Sequence, residues 1–418
     1  MTKRNSKANN TKALIIAIVA IILVVAIAFC ILYFAFPKTW NDIMQSVFGE
    51  LAPDDNSDLN SGNGNQTTLP PLTLGEGELK VHFVNVGQGD CIYIQFPDGD
   101  DMLIDCGQRG SGVKPDQPLN YLLQLNANED QLTINHLMLT HADQDHVDFL
   151  DEVIDKFAVE NIYMPNILAA PNGAGKDAQD LRNQIKALDQ NKVAMFTDPD
   201  AITTTTYANF FVAALKEKNC TIHLNMDKDE NTTNIVIENT TYRIKFYCPT
   251  EEYYDTTNLN TAERKNAVSP IGILEYNNRR VVLTGDSNEI NEPIFVRRIG
   301  GNLDCDVLKV GHHGSETSTT NAFLNAISCE YAVISCNKLG NTFVHPRQAT
   351  LDRLKAHNMT VYRTDRNGTI VLTIDGESQI SFAVETEASQ EVIFIGADTE
   401  NANAAPAAMF LGAEAYCL

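Results

Sequence analysis

Residues 140–146 read THADQDH and directly follow the apolar, strand-like run INHLML. They bring together two imidazoles and two carboxylates, which is costly unless the groups are solvated or bind a metal. In an extended loop His141 and Asp143 point one way. Asp145 and His146 are offset toward another side, so the segment can serve two adjacent cations. Mixed nitrogen and oxygen ligands suit zinc, or manganese and iron where oxygen predominates. The alternative is a polar loop in which Asp143 or Asp145 caps the helix predicted for VDFLDEVIDKF.

Three further polar groups follow predicted strands and favour the metal interpretation. Asp286 comes after VVLTG, where a carboxylate can bridge two metals, although an ordinary turn aspartate fits the same position. His312 and His313 end the run DVLKVG, and adjacent histidines at a strand end rarely serve packing. His345 stands before a proline after NTFV, where a capping or surface histidine is the alternative. Together these groups predict a metal site at the ends of several strands.

Apolar and amphipathic segments alternate from residue 79 onward. Repeated strands with helices between them predict layered sheets covered by helices, an α/β fold. The segments IGILEY and RRVVLT read as a hairpin-like pair across Asn277 and Asn278. Near the end of the chain, EVIFIG at 391–396 reads as a final strand, and the Ala-rich remainder contains Pro406, which breaks a helix.

The N-terminal run 13–36 contains no charge, glycine or proline, and it exceeds the roughly 20 residues that a membrane-spanning helix needs. We expect an uncleaved anchor, because a cleavable signal has a shorter apolar core of roughly 7–15 residues. The bulky Phe29 argues against lipid attachment at Cys30. Since basic residues precede the run and only Lys38 follows it closely, the positive-inside rule predicts a cytoplasmic N-terminus and an extracytoplasmic body.

The chain has 54 acidic and 31 basic residues, a formal charge of −23 and a pI near 4.7. This balance excludes, as the default, a protein that grips nucleic acid over a broad basic face. A local path of basic residues for a nucleic acid is still possible. Lys309 could belong to it or could simply flank its strand. The candidates for that path are Arg279, Arg280, Arg297, Arg298, Lys309, Arg347 and Arg353.

The nine cysteines form no C-x-x-C pair and no zinc-ribbon spacing. Most lie in apolar, strand-like runs, such as Cys305 in CDVLKV and Cys336 in YAVISC, where a free thiol behaves as a small hydrophobe. The sequence therefore favours buried thiols over a disulfide framework, and it does not fix any pairing.

Several motifs in order carry a resemblance to a known family: VNVGQGDCIYIQFPDG with MLIDCG, then THADQDH, NAVSPIGILEYNNRRVVLTGD, DVLKVGHHGSETS and NTFVHP. They resemble the metallo-β-lactamase-fold domain of ComEC-type competence proteins over roughly residues 79–375. The resemblance implies a four-layer αβ/βα sandwich with its metal site at the edge of two facing sheets, here preceded by one N-terminal transmembrane helix.

The apolar run, the local composition and the resemblance together predict five parts of the chain. These are a cytoplasmic basic tail at 1–12, the transmembrane helix at 13–36, a juxtamembrane segment with a flexible linker at 37–78, the hydrolase-like domain at 79–385, and a C-terminal tail without an assigned role at 386–418.

Site roles also follow from the resemblance. It implies metal ligands at His141, Asp143, Asp145, His146, Asp286 and His312, catalytic roles for Asp145 and His313, and substrate contacts from Ser315, Asn266, Ser269 and His345. Asp143 stands where the wider superfamily has the second histidine of H-x-H-x-D-H.

Two features depart from the family pattern. Val147-Asp148-Phe149 stands where relatives have a glycine pair after the Asp-His, which would narrow or reshape the floor of the site. The superfamily histidine that comes before the bridging aspartate has His223 as its only candidate by order, while N-x-x-S takes that place in the ComEC-like pattern.

The function that the resemblance implies is hydrolysis by a metal-activated hydroxide, with one or two divalent ions, zinc or manganese. The expected protein is a membrane-anchored extracytoplasmic phosphodiesterase or nuclease, with a phosphodiester substrate such as DNA and the lipid bilayer, through residues 13–36, as its partners. No protein partner can be inferred. The alternatives are a lactonase or envelope-polymer esterase on the same fold, and a degenerate domain that only binds partners at the cell surface.

Overall fold

The computed structural model describes residues 71–399, apart from 111–116, 128–131, 197–200, 252–253, 255–261 and 338–343. The predicted basic tail and membrane span lie outside these residues, as do most of the linker and the chain from residue 400 onward. Among the described residues, no helix has both the length and the apolar character needed to cross a bilayer.

Strands in the described part of the chain form two sheets. They are β1 Leu79–Phe83, β2 Ile92–Gln95, β3 Asp101–Ile104, β4 Thr133–Met138, β5 Ala158–Met164, β6 Thr221–Leu224, β7 Ile235–Glu238, β8 Tyr242–Tyr247, β9 Ile271–Tyr276, β10 Arg279–Leu283, β11 Val307–Lys309, β12 Tyr331–Ile334, β13 Thr360–Arg363, β14 Ile370–Ile374 and β15 Ile380–Val384. The first sheet has the order β15-β14-β1-β2-β3-β4-β5-β6 and the second β13-β12-β11-β10-β9-β8-β7. Each sheet has an antiparallel half and a parallel half, β3 to β6 in the first and β10 to β13 in the second.

Helices lie between the strands. They are Gln117–Leu125, Gln144–Val147, Leu150–Lys156, Lys176–Ala187, Gln190–Val193, Thr205–Lys216, Ala262–Asn266, Glu292–Arg298, Asn321–Ile327, Gln348–Ala356, Thr364–Asn367 and Gln390–Ile393, with a 3₁₀ turn at Gly311–Gly314. The run VDFLDEVIDKF, expected as one helix, is divided between two short helices that break at Asp148 and Phe149.

Alternation along the central strands shows how the layers stack. On β3, Met102 and Ile104 enter the core between the two sheets, while Leu103 faces the helices outside the first sheet. On β10, Val281 joins the core between the sheets, and Val282 packs under the helices outside the second sheet. Because successive strand residues face opposite sides, this pattern makes a helix–sheet–sheet–helix stack. The predicted αβ/βα sandwich is confirmed.

The predicted hairpin between β9 and β10 is also confirmed. Tyr276 pairs with Arg279, and the two asparagines between them have φ of 47° and 60°. Two consecutive left-handed residues form the type I′ turn that matches the twist of a hairpin. Asn277 is buried, and its side chain exchanges hydrogen bonds with the backbone of Gly75 at 2.7 and 3.0 Å. The ordered body therefore starts before residue 79.

The prediction of a final strand at 391–396 is wrong. Those residues contribute to the helix Gln390–Ile393, and the last strand of the described chain is β15, which pairs with β14. The Gln390 side-chain amide forms two hydrogen bonds with the backbone of the edge strand β13. Its Nε2 donates to Val361 O at 2.8 Å, and Val361 N donates to its Oε1 at 3.1 Å. Ile393 is fully buried, so part of the predicted tail belongs to the folded body.

Cysteine pairing differs from expectation at one place. Cys305 and Cys329 form a disulfide, so the prediction of a free thiol at Cys305 is wrong. Residues far apart in sequence meet here because the segments before β11 and β12 run side by side. Free thiols among the described residues are Cys91, Cys106, Cys220, Cys248 and Cys336, all but Cys220 buried.

Candidate metal centre

Polar segments from both sheets meet at one edge of the sandwich, because each follows a strand of a parallel half. Asp105 and His141 come after β3 and β4 of the first sheet, and Asp286 and His313 come after β10 and β11 of the second. The carboxyl ends of parallel strands open into the crevice where α/β proteins bind ligands.

Three imidazoles and one carboxylate form the centre of this cluster. His146 Nε2 lies 3.2 Å from His313 Nε2, and the Asp286 carboxylate oxygens lie 3.3 Å from the first and 3.4 Å from the second. His141 Nε2 lies 3.7 Å from Asp286 Oδ2. All four side chains are buried, so the cluster is a compact site for a cation.

The other nitrogen of each imidazole is held by a neighbouring group. His146 Nδ1 donates to Asp105 Oδ2 at 2.7 Å, and His313 Nδ1 donates to the backbone oxygen of Ser335 at 3.0 Å. His141 Nδ1 lies 3.0 Å from the hydroxyl of Thr140. Fixing one ring nitrogen while the other faces a shared point is how proteins orient metal-binding histidines.

Asp105 is a functional residue that the sequence reasoning missed. Its carboxylate also accepts hydrogen bonds from Thr140 N at 2.8 Å and Thr140 Oγ1 at 2.7 Å, and its backbone has a φ of 56°. The available signal was the polar end of the strand MLID, since an aspartate after an apolar strand needs a partner. That partner, His146, becomes visible only when β3 and β4 lie side by side.

The charges of the cluster require positive counter-charge. Burial alone would raise the pKa of Asp286, but His313 and His146 hold that pKa well below its usual range. Burial alone would lower the pKa of His313, but the Asp286 charge raises it to about 10. Burial and the neighbouring His146 lower the pKa of His141 to about 4, so that imidazole stays neutral. A metal cation held by the same imidazole nitrogens would supply the positive charge that the Asp286 carboxylate requires.

The donor set fits a divalent cation. His141 Nε2 is buried and has no hydrogen-bond partner among the described residues, as expected for a nitrogen that awaits a metal. Three groups of ligand atoms are each close enough to hold an ion, and all three include His146: His146 with His141 and Asp286, with Asp145 and His313, and with Asp90 and Asp105. Nitrogen and oxygen donors in these proportions suit zinc or manganese.

The predicted ligands do not all lie equally deep. His313, expected to be catalytic, lies in the cluster, whereas the His312 side chain is 20% exposed with Nε2 at 3.8 Å from Asp286. The Asp143 side chain is 37% exposed and lies 3.9 Å from His141 Nε2. Asp143 occupies the N-cap position of the helix Gln144–Val147 without a side-chain capping bond. The capping alternative therefore has no hydrogen bond to support it at this residue.

Left-handed backbone explains which of the adjacent histidines points inward. His312 and His313 have φ of 48° and 55°, a conformation that costs roughly 1–2 kcal/mol per non-glycine residue. Gly314 follows with φ of 83°, and a Cβ there would lie 2.5 Å from Pro346 Cβ. Strain of this kind concentrates at functional sites, and here it turns consecutive imidazoles in different directions.

The predicted substrate-contact residues have three different placements. Ser269 Oγ lies 3.3 Å from His141 Nδ1 and accepts from Asp286 N at 3.3 Å, so it touches the cluster. Asn266 lies beside His312, with an amide atom 3.1 Å from Nε2, and both residues line the cleft with His345. The Ser315 hydroxyl contacts Thr317 Oγ1 at 3.1 Å and is not among the described residues that line the cleft.

The cleft over the cluster has a volume of about 480 Å³. The described residues that line it are Gln88, Gln108, Asp143, Gln144, Asp145, Ala262, Asn266, Asp286, His312, His313, His345 and Arg347. Its loop 87–90 packs tightly, because a Cβ on Gly89, at φ of 121°, would lie 2.0 Å from the backbone oxygen of Asp145. Only glycine fits there.

The departure at Val147-Asp148-Phe149 has a specific partner. Asp148 Oδ1 accepts from Arg109 Nη1 at 2.6 Å, and the guanidinium carbon lies 4.9 Å from the centre of the Phe149 ring. Arg109 also bonds Glu152 at 2.7 Å. These contacts fasten the loop that carries Gln108 to the helices beside the cluster. Asp148 and Phe149 therefore hold a loop whose residue Gln108 lines the cleft.

His223 is not part of the site. It lies on the edge strand β6, stacked on Tyr163 with ring centroids 4.6 Å apart, and Nε2 lies 3.2 Å from Asn161 Oδ1. Ser269 of the N-x-x-S motif, by contrast, touches the cluster through His141 and Asp286.

The expected basic path for a nucleic acid is mostly engaged in other contacts. Lys309 is fully buried, and its Nζ lies 2.8 Å from Asp90 Oδ2. It therefore forms a buried ion pair and is not available to a nucleic acid. Asp90 Oδ1 in turn lies 3.6 Å from His313 Nδ1. Other candidates pair with acids, namely Arg279 with Asp306, Arg280 with Glu275, Arg297 with Glu230 and Arg298 with Asp227.

Comparisons with known proteins show what this chain is similar to. Residues 84–212 match the metallo-beta-lactamase superfamily. Competence protein ComA of Neisseria gonorrhoeae is 43% identical over 90 residues, which cover 22% of this chain and 13% of that protein. ComE operon protein 3 of Bacillus subtilis is 26% identical over 312 residues, which cover 72% of this chain and 33% of that protein. The solved metallo-beta-lactamase fold protein YhfI of Bacillus subtilis aligns with 68% of this chain and 95% of its own, at 10% identity and a TM-score of 0.35.

Residues 84–212 carry the similarity to the metallo-beta-lactamase superfamily, whose members are generally hydrolases, and the fold and the cluster described above are of the kind that this similarity leads one to expect. Within that class, the chain is similar to ComEC-type competence proteins, as its motifs predicted. It spans about a third or less of the length of the two curated relatives described above.

Proposed function

We propose that this chain is a metal-dependent phosphodiesterase or nuclease, with DNA as the substrate class suggested by its competence-protein relatives. One observation carries the proposal: the Nε2 atoms of His146 and His313 meet the Asp286 carboxylate at 3.3 and 3.4 Å, deep in a cleft. Such a cluster has no packing value, since buried charge is costly unless it is paired or binds a metal.

A bound divalent cation supplies a water whose pKa is lowered toward 7, together with polarisation of a phosphoryl oxygen. The chain's own residues prepare for that cation. Asp105 fixes the ring of His146, and Ser335 fixes that of His313. Asp145 Oδ2, at 3.3 Å from His313 Nε2, faces the same cleft. We assign His313 to the ligand set and His312 to the wall that meets the substrate.

The test is metal analysis joined to hydrolysis. The full chain is purified in mild detergent, stripped with EDTA, reloaded with Zn²⁺ or Mn²⁺, and assayed on bis(p-nitrophenyl) phosphate and linear DNA. His146→Ala is compared with His223→Ala, a matched histidine outside the cluster. We expect one or two metal equivalents and hydrolysis in the wild type and in His223→Ala, and loss of both in His146→Ala.

A wild-type protein that binds no metal and cleaves neither substrate would overturn the proposal and favour a surface-binding domain. Hydrolysis of neutral lactones without hydrolysis of phosphodiesters would instead favour the lactonase alternative. Equal activity of the two histidine variants would remove the cluster from the mechanism.

The proposed setting is extracytoplasmic, with residues 13–36 as the membrane anchor. The support is the apolar run and the basic residues before it. Protease treatment of intact cells that express the chain should digest the body and leave the N-terminal tail protected. Protection of the whole chain would contradict this topology.

A further inference from the structure

Arg347 differs from the other arginines of the candidate basic path. Its guanidinium has no hydrogen bond or ion pair within the described part of the chain, whereas Arg279, Arg280, Arg297 and Arg298 each pair with a carboxylate. Arg353 donates to the backbone oxygens of residues 316, 318 and 319. An arginine with five donors and no partner is available to a ligand.

The position of Arg347 makes that availability relevant. It is the one lysine or arginine among the described residues that line the cleft over the metal cluster. The backbone is fixed on two sides: Arg347 N donates to Gly314 O at 2.9 Å, and Ala397 N donates to Pro346 O at 2.9 Å. A rigid backbone therefore presents a side chain whose head group is unengaged.

The charge of the cleft gives this side chain a use. Asp143, Asp145 and Asp286 line the same cleft, and none of them forms an ion pair with Arg347 in the described part of the chain. The carboxylates suit cations, and the guanidinium suits an anion. A phosphodiester supplies both partners, because one phosphoryl oxygen can face a cation while another accepts the planar N–H fork of arginine. A neutral ester or lactone carries no negative charge for the guanidinium to bind.

We propose that Arg347 binds a non-bridging oxygen of the substrate's phosphodiester group and thereby selects anionic over neutral esters. This assignment rests on the proposed function and adds a residue that fixes its substrate class. The competing interpretation is a solvated arginine that only borders the cleft, which contributes little to binding.

The experiment compares Arg347→Ala and Arg347→Lys with Lys355→Ala in the full chain loaded with Mn²⁺. Arg347 is the N-cap of the helix Gln348–Ala356, and Lys355 is exposed on that helix and is not among the described residues of the cleft. Lys355→Ala therefore removes one positive charge, as Arg347→Ala does, but away from the cleft. Hydrolysis of bis(p-nitrophenyl) phosphate gives KM and kcat, isothermal titration gives Kd for inorganic phosphate, and metal content is measured for every variant.

We expect Arg347→Ala to raise KM and the phosphate Kd by about 10- to 100-fold, the usual effect of removing a hydrogen bond to a charged group, with kcat within about threefold. Arg347→Lys should fall between, since it keeps the charge and loses the fork. Lys355→Ala should match the wild type. Unchanged KM and Kd in Arg347→Ala, or equal losses in Lys355→Ala, would overturn the assignment.

Failure of this assignment can be separated from failure of the proposed function. A wild-type protein that lacks phosphodiesterase activity refutes the function, while phosphate titration still measures what Arg347 contributes. If Arg347→Ala does not fold, Arg347→Gln decides, because it keeps a long polar side chain and removes the charge, and a phosphate Kd equal to that of the wild type would overturn the assignment.

Discussion

Two buried carboxylates of this protein, Asp227 and Asp286, solve the same electrostatic problem in different ways. Asp227 is fully buried and binds Arg298 at 2.7 Å, with further hydrogen bonds from the backbone of Cys248 and Asn234. Asp286 is 2% exposed and faces imidazole nitrogens of four histidines at 3.3–3.8 Å, without a lysine or arginine among the described residues paired to it.

The difference separates a structural ion pair from a candidate site. A guanidinium keeps its charge, so the Asp227–Arg298 pair is closed to any other cation. An imidazole can give up its proton to a metal ion that binds the same nitrogen, so the Asp286 cluster stays open to another cation. Burial raises the pKa of Asp227 despite Arg298, whereas the imidazoles hold the pKa of Asp286 well below its usual range against the effect of burial.

The largest effect should come from Asp286→Asn, which removes the negative charge that the four imidazoles face. We expect phosphodiesterase activity to fall by at least about 10⁴-fold, because the catalysis that depends on the cation is lost. Asp227→Asn is the matched control and should keep its metal content. Full activity in Asp286→Asn, measured with bis(p-nitrophenyl) phosphate, would show that Asp286 is not needed for catalysis and would contradict the contrast with Asp227.

Arg298→Ala tests the other carboxylate. It leaves Asp227 buried without its cation, so we expect a loss of about 3–5 kcal/mol in the free energy of unfolding, measured by urea denaturation. Arg297→Ala is the control, since Arg297 and Glu230 are 59% and 44% exposed and such pairs contribute less than about 1 kcal/mol. Similar losses of unfolding free energy in the two variants would show that burial of the Asp227–Arg298 pair does not increase its contribution to stability.

Metal binding should stabilise the wild type and not Asp286→Asn. At a metal concentration of 100 times Kd, the free energy of unfolding should rise by about 2.7 kcal/mol. Thermal melts with and without EDTA measure this rise. An equal metal effect in both proteins would place the cation somewhere other than the cluster.

The smallest effect should come from Asp105→Asn, which weakens the group that orients His146. We expect metal affinity to fall by about 10- to 100-fold, as is usual for partners of metal-binding histidines. Asp101→Asn provides a control on the same strand, because the Asp101 carboxylate binds Tyr93 at 2.5 Å and Asn135 at 2.8 Å, away from the cluster. If both variants bind metal as the wild type does, Asp105 has no orienting role.

Sequence reasoning brought together most of the candidate site because its residues carry their chemistry in local motifs. His141, Asp145, His146 and Asp286 each follow a recognisable strand, and the structure places them in one cluster. It missed Asp105, whose role depends on His146, a partner in the helix Gln144–Val147 that follows the next strand.

Errors in the fold have the same origin. EVIFIG has the composition of a strand, but the side chain of Gln390 hydrogen-bonds to the backbone of Val361 on the edge strand β13. The segment forms the helix Gln390–Ile393 instead of pairing as a further strand. Lys309 reads as a strand residue near a ligand, yet packing buries it against Asp90. Composition does not reveal which edges and charges will already have partners.

The amino-acid sequence by itself determined the layered α/β architecture, the hairpin at Asn277 and Asn278, and the kinds of ligand atom at the strand ends, because these depend on local pattern and side-chain chemistry. Tertiary structure alone decided that His313 faces the cluster while His312 lines the cleft, since left-handed backbone turns the two rings apart. It also decided which buried aspartate has a permanent cation, because Arg298 reaches Asp227 across 71 residues of sequence. Counter-charge is a property of packing, and packing joins residues that the sequence keeps far apart.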